Sequence, residues 1–145
     1  MPTAVTHMDH FIGDFDPVRR RDAIDQLKGL LTTIVEAGGN VVVSPDAFGL
    51  FSRRLPPFTP PRSDAKTHTQ LVEALRKIGE HAVAVGSVLY LEPLNRFEDF
   101  VVNTLADAVS FVTEADSAGV AVIADTFHMS IEEANVGESI RPPEA

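Results

Sequence analysis

The sequence contains no cysteine and no tryptophan, and it has no long apolar run. Without cysteine, disulfide bonds, thiolate catalysis and cysteine-based zinc or iron–sulfur sites are excluded, so any metal must be held by carboxylates and histidines. The apolar stretches are far shorter than the roughly 20 residues that span a bilayer. The first residues lack the charged and apolar regions of a secretory signal. We therefore predict a cytoplasmic protein with no membrane partner.

Basic residues are also scarce, since 12 Lys and Arg stand against 21 Asp and Glu and give a formal charge of −9. Proteins attract phosphate backbones with clusters of Lys and Arg, so this balance predicts no nucleic-acid partner. The hydrophobic fraction of 44% is sufficient for a packed core. The length of 145 residues and the absence of a linker-like stretch predict a single domain over residues 1–145.

Helical and strand-like patterns alternate along the chain. Three short apolar runs predict strands, at residues 41–44, 85–91 and 120–124. Helical spacing predicts helices over 22–37, from Ser63 or Asp64 to about Ala82, from Thr104, and near Ile131. The third helix has a capping-box pair, Thr104 and Asp107, and its predicted inner face carries Leu105, Ala108, Val109 and Val112. The order α-β-α-β-α-β-α predicts an α/β fold with parallel strands and right-handed crossovers.

Two acidic residues close successive predicted strands, Glu92 after the second and Asp125 after the third. Neighbouring strands lie about 4.8 Å apart, so both carboxylates could reach one divalent cation at the carboxyl edge of the sheet. A carboxylate that follows a buried strand also needs a metal or a cationic partner. The alternative is that each acid caps the following loop or pairs with a nearby arginine.

Two further polar residues follow the strand ends, Glu98 in EPLNRFE and His128 in DTFHM. Each lies on a loop that could lean over the same pocket as the paired acids. The alternatives are a solvated or hydrogen-bonded histidine, and a pair between Glu98 and Arg96. Because strand-end acids and loop polar groups recur at two successive units, we favour a shared site.

Four other histidines are weaker candidates. His7 and His10 have a spacing that binds metal on a helix, but this segment lacks a helical period and is expected to be mobile. His68 and His81 fall within or beside the second helix and are expected to face solvent.

A proline-rich loop over residues 45–62 is unusually long for a compact domain, and such loops are often functional. Arg53 and Arg54 within it could meet an anionic group of a substrate. Its aromatic residues could form the floor of a pocket or only anchor the loop: Phe48, Phe51 and Phe58.

Two long motifs carry a family resemblance. LEPLNRFEDFVVNT, residues 91–104, is followed by ADTFHMSIEEANVGESIR, residues 124–141. Together they resemble the xylose isomerase-like superfamily of sugar isomerases and epimerases, and within it the ketose 3-epimerases and hydroxypyruvate isomerases. The resemblance implies part of a (β/α)8 TIM barrel, with about three to four parallel strands and flanking helices.

The resemblance also implies roles for the strand-end residues. Glu92 and Asp125 correspond to ligands of a divalent cation, Mn²⁺, Mg²⁺ or Co²⁺, and Glu98 and His128 correspond to residues that contact substrate hydroxyls. The implied partner is a small sugar such as a ketose. The implied reaction is proton transfer next to a carbonyl through a cis-enediolate, with Glu92 as the catalytic acid or base.

The chain departs from the family in length, because a complete barrel takes about 250 residues. The family's first strand or strands, and the later His and Glu that complete the metal shell, have no counterpart here, so we expect a domain truncated at both ends. Whether this chain alone is an active enzyme is left open. An opened sheet has unpaired edges, which predicts a homo-oligomer or a larger enzyme.

Two other functions are compatible with the same motifs. One is a non-catalytic member or fragment that binds a sugar or a protein. The other is an endonuclease IV-like phosphodiesterase, whose strand-end acids are similar. The acidic charge and the NRFE motif favour the sugar enzyme.

Overall fold

The structure, a computed structural model, describes residues 2–49 and 59–141. One parallel sheet contains four strands in the order β1 (Thr3–Val5), β2 (Val41–Ser44), β3 (Val88–Leu91) and β4 (Val120–Val122). The helices are α1 (Pro17–Glu36), α2 (Asp64–Val85), α3 (Leu105–Ala115), α4 (Thr126–Glu132) and α5 (Val136–Ser139). This arrangement confirms the predicted α/β class, and it is a partial barrel with helices flanking its strands.

All four strands run parallel, so their carboxyl ends lie at the same edge of the sheet. Val42 is paired with Leu89, and Tyr90 with Ala121, so consecutive strands are direct neighbours. The carboxyl ends of β3 and β4 therefore meet at one edge of the sheet. Helices α1, α2 and α3 cover the sheet through side chains that are fully buried: Leu27, Leu31, Leu75, Ile78 and Ala108.

Local sequence signals explain where the longer helices begin and end. The Ser63 side chain accepts a hydrogen bond from the Lys66 amide at the start of α2, and Gly86, with a φ of 77°, ends this helix. Thr104 and Asp107 form the predicted capping box of α3. Among the helices of the described ranges, none has the length and apolar character needed to cross a membrane.

The N-terminal segment differs from the prediction. Thr3–Val5 forms an edge strand parallel to β2 instead of a mobile start. Helix α1 begins at Pro17 rather than at residue 22, because Asp16 caps it by accepting a hydrogen bond from the Val18 amide. The chain therefore contains a strand before its first helix, contrary to the predicted order.

Three smaller predictions were also wrong. Val85 ends α2, and the strand begins only at Val88, because the apolar run continues across the helix end. Val109 is 53% exposed, since the buried face of α3 is formed by Leu105, Ala108, Phe111 and Ala115. Helix α4 begins at Thr126, separated from the end of β4 by three residues, and not near Ile131.

Candidate metal and substrate site

The ends of β3 and β4 bring three potential ligands together. Glu92 follows β3 directly, and Asp125 and His128 lie at the start of α4, which follows β4. One ligand atom from each of the three side chains lies within 4.8 Å of the others. The adjacency of β3 and β4 explains this convergence, because residues that follow neighbouring parallel strands emerge side by side.

Asp125 has two kinds of contact. Its Oδ1 accepts a hydrogen bond of 2.7 Å from the Phe127 amide, so the residue is the N-cap of α4 and the capping alternative is confirmed for this acid. Its carboxyl group also contacts the side chain of Glu92. Capping by one oxygen therefore does not remove Asp125 from the shared site.

The Glu92 carboxyl group is half-buried. Burial raises its pKa above the usual glutamate value, His128 opposes this rise, and the charge of Asp125 adds to it. Two carboxyl groups that repel each other in partly desolvated surroundings favour the capture of a positive charge, either a proton or a metal cation.

His128 is 8% exposed and its ring orientation is fixed by Asn95. The Asn95 backbone amide donates to Nδ1 at 3.1 Å, and the Asn95 side-chain nitrogen lies 3.0 Å from the same atom. Asn95 Oδ1 accepts from the Phe97 amide, which places the side-chain NH₂ toward the ring. Because Nδ1 accepts, a neutral His128 carries its proton on Nε2.

A cavity of about 250 Å³ opens beside these residues. Its lining combines Glu92, Glu98 and His128 with apolar side chains, among which Phe11 and Phe48 have ring centroids 6.4 Å apart. A small polar group of this kind within an apolar wall is typical of a ligand site. A larger cavity of about 570 Å³ lies between α2 and α3, but no strand-end residue lines it.

Glu98 lies on the loop after β3 and is not paired with Arg96. Arg96 instead donates to Glu132 of α4, through its amide at 2.6 Å and through Nε at 2.9 Å. The alternative that Glu98 pairs with Arg96 was therefore wrong. The Glu98 backbone is held by its neighbours, since its amide donates to the Asn95 carbonyl and its carbonyl accepts from the Gly49 amide.

The other histidines lie apart from the three-residue cluster. His7 lines the cavity without joining the potential ligands, and His10 Nε2 lies 3.9 Å from Asp22 Oδ2. His68 and His81 do not simply face solvent. The His68 Nε2 lies 3.2 Å from Glu114 Oε1, and the His81 Nε2 lies 3.0 Å from the Thr32 hydroxyl, because α2 packs against both α1 and α3.

Part of the proline-rich loop lies outside the described residues, including Arg53, Arg54, Phe51 and Phe58. Sequence reasoning also missed Asn95 and a buried carboxyl pair, Asp46 and Asp99. Asn95 lies within the LNRF motif, and this position was the available signal. The two aspartates are far apart in sequence, and no local pattern joins them.

The fold and the strand-end cluster define an α/β barrel-type protein with a candidate cation site at the carboxyl edge of its sheet. The sequence profile described as "Xylose isomerase-like TIM barrel" matches residues 3–144. The chain belongs to this family.

Named relatives are sugar epimerases. The chain is 41% identical over 138 residues to 3-dehydro-D-guloside 4-epimerase of Escherichia coli, covering 95% of this chain and 53% of that protein. It is 46% identical over 70 residues to D-psicose 3-epimerase of Ruminiclostridium cellulolyticum, covering 48% of this chain and 24% of that protein. The chain thus spans about half the length of the first of these relatives.

Solved structures agree with the sequence matches. The crystal structure of 3-keto-D-glucoside 4-epimerase from E. coli, in its apo form, matches with a TM-score of 0.90 at 41% identity, over 95% of this chain and 52% of that one. A structure of D-psicose 3-epimerase from Clostridium cellulolyticum with D-tagatose matches with a TM-score of 0.77 at 29% identity, over 90% and 44%.

Proposed function

We propose that this chain provides the metal-binding and substrate-contacting half of a sugar epimerase or isomerase. The observation that carries the proposal is the convergence of Glu92, Asp125 and His128 beside a cavity that Glu98 also lines. The names of the relatives support a small sugar as the substrate. The acidic charge favours this function over phosphodiester cleavage.

The donor atoms fit a hard divalent cation such as Mn²⁺, Mg²⁺ or Co²⁺. Glu92 and Asp125 offer carboxylate oxygens, burial raises the pKa of Glu92 and makes its negative charge unfavourable without a cation, and no thiolate competes. When bound, the cation would stabilise negative charge that develops on a substrate carbonyl. These two acids offer few of the roughly six ligands that such ions take, so we expect weak affinity.

The remaining chemistry is assigned to side chains of this chain. Glu92 would take or return a proton next to the carbonyl, so that the reaction passes through a cis-enediolate. The His128 ring, with its proton on Nε2, would donate a hydrogen bond to a substrate oxygen rather than bind the cation. The Glu98 carboxylate would accept a hydrogen bond from a substrate hydroxyl.

Calorimetric titration with Mn²⁺ tests the proposal. We expect one weak site per chain in the wild type, no binding in Asp125→Ala, and unchanged binding in Asp64→Ala, which removes an exposed acid at the start of α2. Binding that persists in Asp125→Ala would contradict the ligand assignment. A wild type that binds no Mn²⁺ would contradict the catalytic function and favour a non-catalytic sugar- or protein-binding role.

The outer strands of the described sheet, β1 and β4, are each paired on one side only. Such edges expose backbone N–H and C=O groups that favour further pairing. We propose that partner copies of this chain cover them, and light scattering on the titration samples would contradict this if it gave a monomer of 15.7 kDa.

A further inference from the structure

Two aspartates outside the proposed catalytic set are almost completely enclosed. Asp46, on the loop after β2, is 0% exposed, and Asp99, on the loop after β3, is 1% exposed. Their carboxyl groups contact each other. A buried pair of ionised carboxylates is strongly unfavourable, so this contact requires a compensating positive charge or a shared proton.

Burial raises the pKa of Asp99, but its contacts with Asp46 and with backbone amides oppose this rise and favour its ionised form. Its Oδ1 accepts hydrogen bonds from the amides of Phe100 at 2.6 Å and Val101 at 3.4 Å, and its Oδ2 accepts from the Val102 amide at 3.3 Å. Backbone N–H groups that converge on a carboxyl group stabilise its charged form. Protonating Asp99 would weaken these three bonds.

Asp46 has the opposite surroundings. In the described ranges, neither of its carboxyl oxygens receives a hydrogen bond from an N–H or O–H group. An unprotonated Asp46 would leave two buried oxygens without partners, whereas a protonated one donates to Asp99. Burial raises the pKa of Asp46 well above the usual aspartate value, the charge of Asp99 raises it further, and the backbone amide of Asp46 and the charge of Arg62 oppose the rise.

The nearby cation does not replace this proton. The Arg62 guanidinium donates through its terminal nitrogens to the carbonyls of Gly13 and Asp14, and through Nε to the Thr67 hydroxyl. The other charged groups that face Arg62 are Asp14 and Arg20. Arg62 therefore supplies a favourable charge near Asp46 while its hydrogen bonds go elsewhere.

The pair joins two loops that both line the cavity. The loop after β2 contributes Pro45 and Phe48 to the wall, and the loop after β3 contributes Leu94 and Glu98. Glu98 immediately precedes Asp99, and its carbonyl accepts a hydrogen bond of 2.6 Å from Gly49 across the two loops. A bond between the two aspartates therefore acts next to Glu98.

We propose that Asp46 is protonated and donates a hydrogen bond to the Asp99 carboxylate, and that this bond positions Glu98 at the cavity by fixing the loop after β2 to the loop after β3. Asp46 and Asp99 are positioning residues, and the value of this positioning for substrate rests on the proposed function of Glu98. The bond itself is testable without sugar or metal.

Stability measurements on two isosteric variants test which residue holds the proton. The side-chain amide introduced by Asp46→Asn can replace the O–H donor, so we expect this variant to unfold at about the wild-type denaturant concentration at neutral pH. In Asp99→Asn one amide nitrogen replaces an oxygen that accepts backbone N–H groups, so we expect clear destabilisation. Equal losses in both variants, or a greater loss in Asp46→Asn, would overturn the assignment.

The pH dependence gives an independent readout. A carboxyl group whose pKa is raised on folding binds its proton more tightly in the native state, so its contribution to stability is lost as pH rises through the native pKa. We expect the wild type to lose stability as pH rises above the usual aspartate range, and Asp46→Asn to lose less, because the raised pKa of Glu92 contributes equally in both proteins. Parallel profiles in the two proteins would overturn the proposal.

Infrared spectroscopy and amide exchange test the proton and the positioning directly. We expect a protonated-carboxyl C=O band at neutral pH in the wild type and its absence in Asp46→Asn.

Hydrogen exchange of the Gly49 amide tests the positioning. Its protection, corrected for intrinsic exchange, should fall in Asp46→Ala and be restored in Asp46→Asn. The control is the Gly39 amide, which donates to the Ile34 carbonyl and lies before the start of β2. Unchanged Gly49 protection in Asp46→Ala would overturn the positioning role. None of these experiments uses Mn²⁺ or sugar. A negative result would therefore contradict the Asp46–Asp99 hydrogen bond without bearing on the epimerase proposal.

Discussion

Two carboxyl pairs lie near the same edge of the sheet in opposite surroundings. Glu92 and Asp125 are partly exposed beside a cavity, and no arginine is paired with either of them among the described residues. Asp46 and Asp99 are sealed between the two loops that carry them, with three backbone amides and a nearby guanidinium around them.

The difference shows what distinguishes a candidate ligand site from a structural carboxyl pair. Both pairs concentrate negative charge where desolvation makes it unfavourable. The open pair can take a cation from solution, whereas the sealed pair has only a proton and the protein's own donors. A position near a strand end is therefore insufficient to indicate a metal site, and access from a cavity must accompany it.

The largest expected effect on stability comes from removing the cation near the sealed pair. Arg62→Met deletes donors to the Gly13 and Asp14 carbonyls and the positive charge beside Asp46, and we expect a loss of about 3 kcal/mol in the free energy of unfolding. Urea denaturation at neutral pH measures this loss.

The matched control is Arg96→Met, because Arg96 is exposed and paired with Glu132 at the surface. Exposed ion pairs contribute little to stability, so we expect no resolvable change. Equal effects of the two substitutions would remove the distinction between sealed and open surroundings.

A smaller effect is expected from crowding the sealed pair. A Cβ added at Gly13 would lie 2.8 Å from the Asp46 carbonyl oxygen and 3.0 Å from its Oδ2, and backbone atoms yield little to such a contact. We expect Gly13→Ala to destabilise the protein by about 2 kcal/mol in urea denaturation.

Gly29→Ala is the control for the Gly13 substitution. A Cβ at Gly29 meets nothing within 4 Å, and the residue lies inside α1, where alanine is the better helix former. We expect a gain of up to about 1 kcal/mol. A gain at Gly13 as well would show that the loop shifts freely around Asp46.

The sequence predicted those features that are encoded within a few residues. The capping box at Thr104 and Asp107 and the start of α2 at Ser63 or Asp64 are short-range signals, and each is present. The nearness of Glu92 and Asp125 was also foreseeable, because it follows from neighbouring parallel strands.

The missed features depend on partners distant in the chain. Strand β1 is three residues long, Val5 is 70% exposed, and only pairing with β2 makes the segment a strand. The local sequence PDAFG is typical of a turn, so nothing there indicates that Asp46 will meet Asp99 inside the protein. The orientation of His128 likewise depends on Asn95 from the preceding unit.

The smallest expected effect concerns His128, which lies beside the partly exposed pair of Glu92 and Asp125. Two N–H groups of Asn95 donate to Nδ1 of His128. Asn95→Ala removes the side-chain donor and the oxygen that accepts from the Phe97 amide, but it leaves the backbone donor in place. We expect a loss of about 1 kcal/mol in the free energy of unfolding, with the proton retained on Nε2 because the backbone amide still donates. Long-range ¹H–¹⁵N NMR above the histidine titration range would report the tautomer in both proteins. A proton on Nδ1 in the metal-free wild type would contradict the assignment of His128 as a donor to substrate, and would instead leave Nε2 free to act as a third ligand beside Glu92 and Asp125.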